Sequence, residues 1–172
     1  MTTLLLVRHG ETDWNAEGRL QGQTDTSLND YGRRQARRLA ERLAERPFDA
    51  LVASDLSRAR ETAEILAERL GLSVELDRDL REKDWGSWEG LTAAERDRVE
   101  FVGESTEAHR ARTLAALHRA AGRHPDGSVL VVTHGGSIRR IQAAATGIAQ
   151  AVIENCGAWP VAIEGGVLRP ID

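Results

Sequence analysis

Cysteine is nearly absent from this chain of 172 residues: Cys156 is the only one. A single thiol excludes an intramolecular disulfide and any thiolate zinc cluster, and it fits a reducing, cytoplasmic setting. Lysine is equally scarce. Of 23 basic residues only Lys83 is a lysine and the other 22 are arginine, a pattern that codon bias in a GC-rich genome explains. A Schiff-base or P-loop lysine therefore has one candidate. No apolar run approaches the roughly 20 residues of a membrane span, and the start Met1-Thr2-Thr3-Leu4 lacks the basic region of a secretory leader. Repeats, linkers and low-complexity tracts are missing too, so residues 1–172 read as a single domain. With 27 acidic against 23 basic residues, a net charge of −4 and a pI near 5.8, no global attraction to nucleic acid or to an anionic membrane is expected. Any anion this chain recognises must be held by a local cluster of positive groups.

What is present is an alternation of short apolar runs with amphipathic stretches. Leu4-Leu5-Leu6-Val7 stops at Arg8-His9-Gly10 and reads as a buried strand. Ala36, Leu39, Ala40 and Leu43 then follow helical spacing, with Asn29 or Asp30 as N-cap and an end before Pro47. Phe48 to Ala53 is a second strand candidate. Ala63, Leu66, Ala67 and Leu70 repeat the helical period up to Gly71, and Val74 with Leu76 suggests a short strand with one face buried. A helix from Thr106 to Ala121 precedes Val129-Leu130-Val131-Val132, the strongest strand, which opens into Thr133-His134-Gly135-Gly136 and another helix. Trp159 to Leu168 has the makings of a hairpin around Glu164-Gly165-Gly166. Strands alternating with helices imply βαβ units, an α/β fold and a mainly parallel sheet.

In such a sheet, ligands bind beyond the carboxyl ends of the strands. Three strand candidates end in polar residues of a consistent kind: Arg8-His9-Gly10, then Ser54-Asp55 with Arg58 shortly after, and Thr133-His134-Gly135-Gly136. If these strands are neighbours, two histidines and two arginines meet at one rim. Arginine forks match phosphate oxygens, and glycines let the backbone approach a dianion closely. Each residue alone has a plainer explanation as a turn former or a solvated side chain; the joint occurrence is the signal. His109, His118 and His124 have no such setting and read as surface residues.

The ordered motifs are specific. Leu6-Val7-Arg8-His9-Gly10-Glu11-Thr12, Gly18-Arg19-Leu20-Gln21-Gly22, Ser54-Asp55-Leu56-Ser57-Arg58, Leu80-Arg81-Glu82-Lys83-Asp84-Trp85-Gly86 and Val132-Thr133-His134-Gly135-Gly136 resemble, in order, the motifs of the histidine phosphatase superfamily of phosphoglycerate mutases and related phosphatases. They cover most of residues 4–140, and the likeness thins after Ala145, where little beyond Asn155 aligns. The resemblance implies a three-layer sandwich with a mainly parallel central sheet flanked by helices. It implies His9 as the nucleophile that forms a phosphohistidine, and Arg8, Arg58 and His134 as binders of the phosphoryl oxygens. Asn15, Gln21, Gly22 and Gly135 would border the phosphate, and Glu82 would be the general acid. Physical chemistry agrees with those roles. Neighbouring arginines disfavour imidazolium, so His9 stays nucleophilic. Two arginines and a histidine are suited to the charge of a transferring phosphoryl group, with no metal or cofactor required. The like charge of a bound phosphate favours the protonated form of Glu82. Asp84 and Glu89 are the rival acids, and Trp85 and Trp88 read as packing residues.

Mutase and phosphatase share the first half-reaction and differ in the acceptor. A mutase must hold its intermediate and exclude water, which takes extra chain over the pocket. Here Gly90 and Gly103-Glu104-Ser105 are separated by twelve positions, 91–102, with a short polar helix near Leu91 to Arg98. This shortened lid favours a metal-independent phosphomonoesterase acting on small phosphorylated metabolites, with an open site and modest discrimination among them. Phosphoglycerate mutase-type transfer is the alternative. A non-catalytic phosphate-binding module should have lost the nucleophile or the acid, and both are present. A histidine-ligated metal hydrolase lacks H-x-H or H-x-x-x-H spacing. The expected partner is a small phosphomonoester, without nucleic acid or membrane. A homodimer remains open, its second copy closing the mouth with the stretch from Ala149 to Trp159.

Overall fold

The apolar runs become strands and the periodic stretches become helices. A computed structural model of the chain describes residues 1–171. β1 (Thr2–Arg8) leads into one turn of helix, α1 (Asp13–Ala16), then α2 (Asp30–Leu43), β2 (Ala50–Ala53), α3 (Ser57–Leu70) and β3 (Val74–Leu76). Two 3₁₀ turns and the short α4 (Ala93–Arg96) precede α5 (Thr106–Arg123), β4 (Ser128–Thr133) and α6 (Gly135–Thr146). The chain closes with the hairpin β5 (Ala158–Glu164) and β6 (Val167–Pro170).

The strands form one sheet in the order β3-β2-β4-β1-β5-β6. The first four run parallel, and β5 and β6 are antiparallel additions at one edge. Because side chains alternate along a strand, each central strand feeds two cores. Leu4, Leu6, Val129 and Val131 face α5 and α6, where they meet Leu117, Ala120, Ile138 and Ile141. Leu5, Val7, Leu130 and Val132 face α2 and α3, against Ala36, Leu39, Ala63 and Leu66. The result is a helix–sheet–helix sandwich, and each fully buried Leu or Val contributes about 1.5–3 kcal/mol.

Local details follow the sequence with a few differences. Asn29 caps α2 by accepting from the Gly32 amide at 2.8 Å, and α3 ends on Gly71 in the left-handed region. Phe48 lies outside β2, packed on the α2–α3 core instead. β3 is a sheet edge with Glu75 and Leu76 exposed rather than a strand with a buried face, because β2 alone pairs with it. Among the described residues no helix is long and apolar enough to cross a membrane.

One close approach ties α2 to the loop after β1. A Cβ on Gly10 would lie 2.5 Å from the Gly32 carbonyl oxygen, and one on Gly32 would collide with the Glu11 carbonyl. Backbone-to-backbone contact of this kind cannot be relieved by a rotamer change. Gly32→Ala is therefore expected to destabilise the fold by about 1–3 kcal/mol. Gly122→Ala, on an open face of α5, should be neutral or stabilising by up to about 1 kcal/mol. Urea denaturation of the two variants checks the contrast; equal effects would remove the packing argument.

Candidate active site

Register alone gathers the polar strand ends. Arg8 pairs with Thr133 across β1 and β4, and Ala53 pairs with Val132 across β2 and β4. The pairing continues one step further, since the His9 amide donates to the Thr133 carbonyl and the Ser54 amide to that of Val132, both at 3.0 Å. His9, His134 and Ser54 thus sit side by side at the carboxyl rim. The His9 and His134 rings meet edge to face with centroids 5.2 Å apart, and His134 Nε2 lies 2.8 Å from Ser54 Oγ.

His9 is poised as a neutral base. Its Nδ1 lies 2.6 Å from the Gly10 carbonyl oxygen, which can only accept, so Nδ1 carries the proton and Nε2 keeps its lone pair. Burial pushes its pKa well below the ordinary histidine value, and the charges of Arg58 and then Arg8 push the same way. The arginine effect read from the sequence is real but smaller than desolvation.

The cations around it are held by backbone carbonyls. Arg58, fully buried on α3, donates from Nη2 to the Gly22 carbonyl at 2.7 Å and from Nη1 to that of Thr24 at 3.0 Å. Burial lowers its pKa to about 10, which leaves it charged at neutral pH. Arg8 Nη1 donates to the Ile153 carbonyl at 2.7 Å. The Nε of each arginine and Nδ1 of His134 are buried without a partner. Buried donors of this kind fit the oxygens of an anion. A cavity of about 360 Å³ opens here, bordered by Arg8, His9, Arg58, Asn15 and the Gln21-Gly22 turn, with Gly135 at its edge. His134, wholly buried, joins this cluster through its edge-to-face contact with His9 and through Nε2 against Ser54, which leaves Nδ1 unpartnered.

Glu82 is the only carboxylate on that wall among the described residues. Oε1 accepts from the Lys83 amide at 2.8 Å and Oε2 from the Gly136 amide at 2.9 Å, in the first turn of α6. A Cβ at Gly136 would collide with this carboxylate. The rival acids have other work. Glu89 accepts from the amides of Gln23, Thr24 and Trp85, fastening the Gln21–Thr24 turn to the acidic loop. Asp84 caps its own turn through the Gly86 amide at 2.8 Å. Arg112 pairs with Glu104 at 2.7 Å and donates to the carbonyls of Asp79, Arg81 and Glu82, which fixes the loop carrying Glu82.

Three features contradict or escape the sequence reading. His109, read as a surface residue, is 1% exposed on the inner face of α5 and lines the cavity. Its Nε2 lies 2.9 Å from Ser137 Oγ and 3.7 Å from Glu82 Oε1, and burial lowers its pKa. Its spacing with Thr113 and Ala116 on the buried face was the available signal. The stretch before β5 also turns back onto its own chain: Asn155 Nδ2 donates to the His9 carbonyl at 3.0 Å, the Cys156 amide donates to that of Arg8 at 3.0 Å, and Val152 borders the cavity. Trp85 does more than pack, since it stacks on Trp88 and also faces the cavity.

Comparison with known proteins points to one family. A family model described as the histidine phosphatase superfamily (branch 1) matches residues 4–163. The glucosyl-3-phosphoglycerate phosphatase of Mycolicibacterium vanbaalenii is 38% identical over 92% of this chain and 77% of its own length. The metal-independent phosphoserine phosphatase of Arabidopsis thaliana is 38% identical over 82% and 67%, respectively. A phosphoglycerate mutase-like protein of the same plant is 40% identical over 80% and 68%. Among solved structures, YhfR of Bacillus stearothermophilus superposes with a TM-score of 0.91 at 31% identity, covering 99% of this chain and 95% of that one.

Three buried histidines with lowered pKa values have a consequence for stability. His9, His109 and His134 stay neutral in the fold, whereas in the unfolded chain each binds a proton near the ordinary value of 6.5. The unfolded state therefore binds more protons, and stability is lost as pH falls from about 6.5 toward the depressed folded values. The slope is up to about 1.4 kcal/mol per pH unit for each histidine. Denaturant titrations above and below that pH should show the loss, and His109→Leu should make it shallower. A flat profile in the wild type would contradict the burial of these groups.

Proposed function

The chain belongs to the histidine phosphatase superfamily, and on that premise we propose that it is a metal-independent phosphomonoesterase acting on small phosphorylated metabolites through a phosphohistidine. A histidine phosphatase fold with phosphatase-named relatives supports the hydrolysis of phosphate esters as the general activity. One observation carries the finer reading: His9, with its free Nε2, lies among Arg8 and Arg58 in a cavity whose one acid among the described residues is Glu82.

The steps follow from that placement. Arg8 and Arg58 receive the phosphoryl oxygens, and their fixed positive charge matches the charge spread over the transferring group. His9 Nε2 attacks phosphorus while Glu82 gives its proton to the departing ester oxygen. Both amide bonds to Glu82 are compatible with that proton, because each oxygen of a carboxylic acid retains acceptor capacity. Water then attacks the phosphohistidine, losing a proton to Glu82, and phosphate leaves with His9 restored. His134, packed edge to face on His9, offers its unpartnered Nδ1 to the same phosphoryl oxygens. Transfer to a second metabolite needs the intermediate sheltered from water. The 91–102 segment supplies only α4 and a turn pinned by the Trp88 indole, which donates to the Val99 carbonyl at 2.8 Å. That favours water as the acceptor.

Two outcomes check this reading. Rapid quenching after incubation with labelled phosphomonoester should trap an acid-labile, alkali-stable phosphoenzyme that His9→Ala lacks, at a rate unaffected by chelators. Chelator-abolished activity restored by a divalent metal would overturn it. Glu82→Gln should slow alkyl phosphates by about 10²–10⁴-fold but p-nitrophenyl phosphate much less, since that leaving group needs little protonation. Asp84→Asn should show no such split. Equal losses on both substrate types would remove Glu82 from the acid role.

A further inference from the structure

The mechanism gives Asn155 no part, yet its side chain touches two of the groups at the site. Asn155 is half-buried in the turn before β5. Its Nδ2 lies 3.0 Å from the His9 carbonyl oxygen and 3.2 Å from Asn15 Oδ1. Both are acceptors, so the atom facing them must be the amide nitrogen, and both of its hydrogens are engaged. The turn that presents Asn155 is itself strained. Cys156 adopts φ +56°, a left-handed conformation that a residue with a Cβ keeps only where its surroundings enforce it. Here the Cys156 amide donates to the Arg8 carbonyl at 3.0 Å, its side chain is buried in the α2–α3 core, and the Gly157 amide closes the turn on the Glu154 carbonyl at 2.9 Å.

Asn15 shows what the contact does. Its Oδ1 accepts from the Thr12 amide at 3.1 Å, within the capping box that starts α1. The Thr12 hydroxyl is also near, at 3.2 Å, but its one proton has a closer acceptor in Gln21 Oε1 at 2.6 Å. Asn155 Nδ2 is therefore the second donor to Asn15 Oδ1. With that oxygen held between the Thr12 amide and Asn155, the remaining polar atom, Nδ2, is left for the cavity that Asn15 borders beside His9 and Arg58. The terminal torsion of asparagine is broad and soft. Without Asn155, a single amide bond would aim the Asn15 side chain, and its donor would be less well placed.

We propose that Asn155 is a positioning residue for phosphoryl binding: its amide nitrogen fixes Asn15, so that Asn15 Nδ2 is held as a donor to a phosphoryl oxygen beside Arg8 and Arg58. This deepens the reading of the site as a phosphomonoesterase and rests on it. Asn155 acts through Asn15 rather than on the substrate. Its value lies in orientation made before the anion arrives, since a donor already aimed needs no reorganisation as charge develops. The other hydrogen of Asn155, on the His9 carbonyl, is backed by the Cys156 amide at 3.3 Å from the same oxygen. Removal of the Asn155 side chain therefore falls on Asn15 more than on His9.

A double-mutant cycle on the binding of inorganic vanadate, an oxyanion that mimics the transferring phosphoryl group, tests the coupling without requiring turnover. Calorimetry would compare the wild type, Asn155→Ala, Asn15→Ala and the double variant. Asn155→Ala should weaken vanadate binding about tenfold, the loss expected for one misaimed donor to a charged ligand. In the Asn15→Ala background the same change should cost about threefold or less, because the group it acts through is gone. Should Asn155→Ala fail to fold, Asn155→Asp takes its place; it keeps the shape of asparagine and, ionised, has no hydrogen to donate. A loss above about threefold that persists in the Asn15→Ala background would show that Asn155 is a structural tie only. The proposal is equally overturned if the wild type binds no vanadate, if Asn155→Ala alone costs less than about threefold, or if Asn15→Ala binds as the wild type does. Hydrolysis of p-nitrophenyl phosphate by the wild type reports separately on the phosphatase reading, so the two can fail independently.

Discussion

The site depends on keeping two guanidinium groups charged where little water reaches them. Arg58 is fully buried and Arg8 partly buried, beside two imidazoles that burial keeps neutral. Such a centre is stable only because carbonyl oxygens are spent on it: Gly22 and Thr24 for Arg58, and Ile153 for Arg8. These carbonyls come from loops far apart in the chain. The Gln21–Thr24 turn and the stretch before β5 are therefore fixed by the arginines as much as the arginines are fixed by them. Orienting donors in advance is what makes such a centre useful in phosphoryl transfer, because no dipoles need to reorganise as charge moves.

A second set of contacts fixes the acid relative to that centre. Arg112, paired with Glu104, reaches three carbonyls of the loop from Asp79 to Glu82, and Thr133 at the end of β4 donates to the Leu80 carbonyl at 2.7 Å. The Glu82 side chain then meets the first turn of α6, directly after the β4 strand end that supplies His134. The proposed nucleophile and acid are thus referred to the same pair of adjacent strands, β1 and β4. Small displacements of either would be costly, since proton transfer demands hydrogen-bond reach.

This arrangement was legible in the sequence where side chains followed strand ends. His9 and Arg58 stood out because apolar runs ended at or just before them, and sheet register then determined which ends met; Glu82 was marked over Asp84 and Glu89 only by the motif resemblance. His109 was misread because a histidine among arginines on an amphipathic helix resembles a solvated residue, although it shares a face with Thr113, Ala116 and Ala120. His134 falls in the expected cluster, but its hydrogen bond to Ser54 is a pairing across β2 and β4 that strand periodicity does not report. The stretch before β5 was illegible for a different reason. Most of its contacts run through the Ile153 carbonyl and the Cys156 amide, groups that every residue carries and no motif marks.

The same logic bears on how this molecule achieves selectivity with so little chain over its mouth. A lid that closes on the substrate can direct binding energy into the transition state, because closure completes the site only for the correct ligand. A fixed wall cannot. Lys83 is clamped between Trp85 and Phe101, and those rings pack on Trp88, whose indole is tied to the Val99 carbonyl. Any contact from a wall that does not move acts on substrate and transition state alike, and interactions of that uniform kind lower KM and leave kcat nearly unchanged. Selectivity of this kind resides in capture, while the proposed mechanism leaves the acceleration of the chemical step to His9, the two arginines and Glu82.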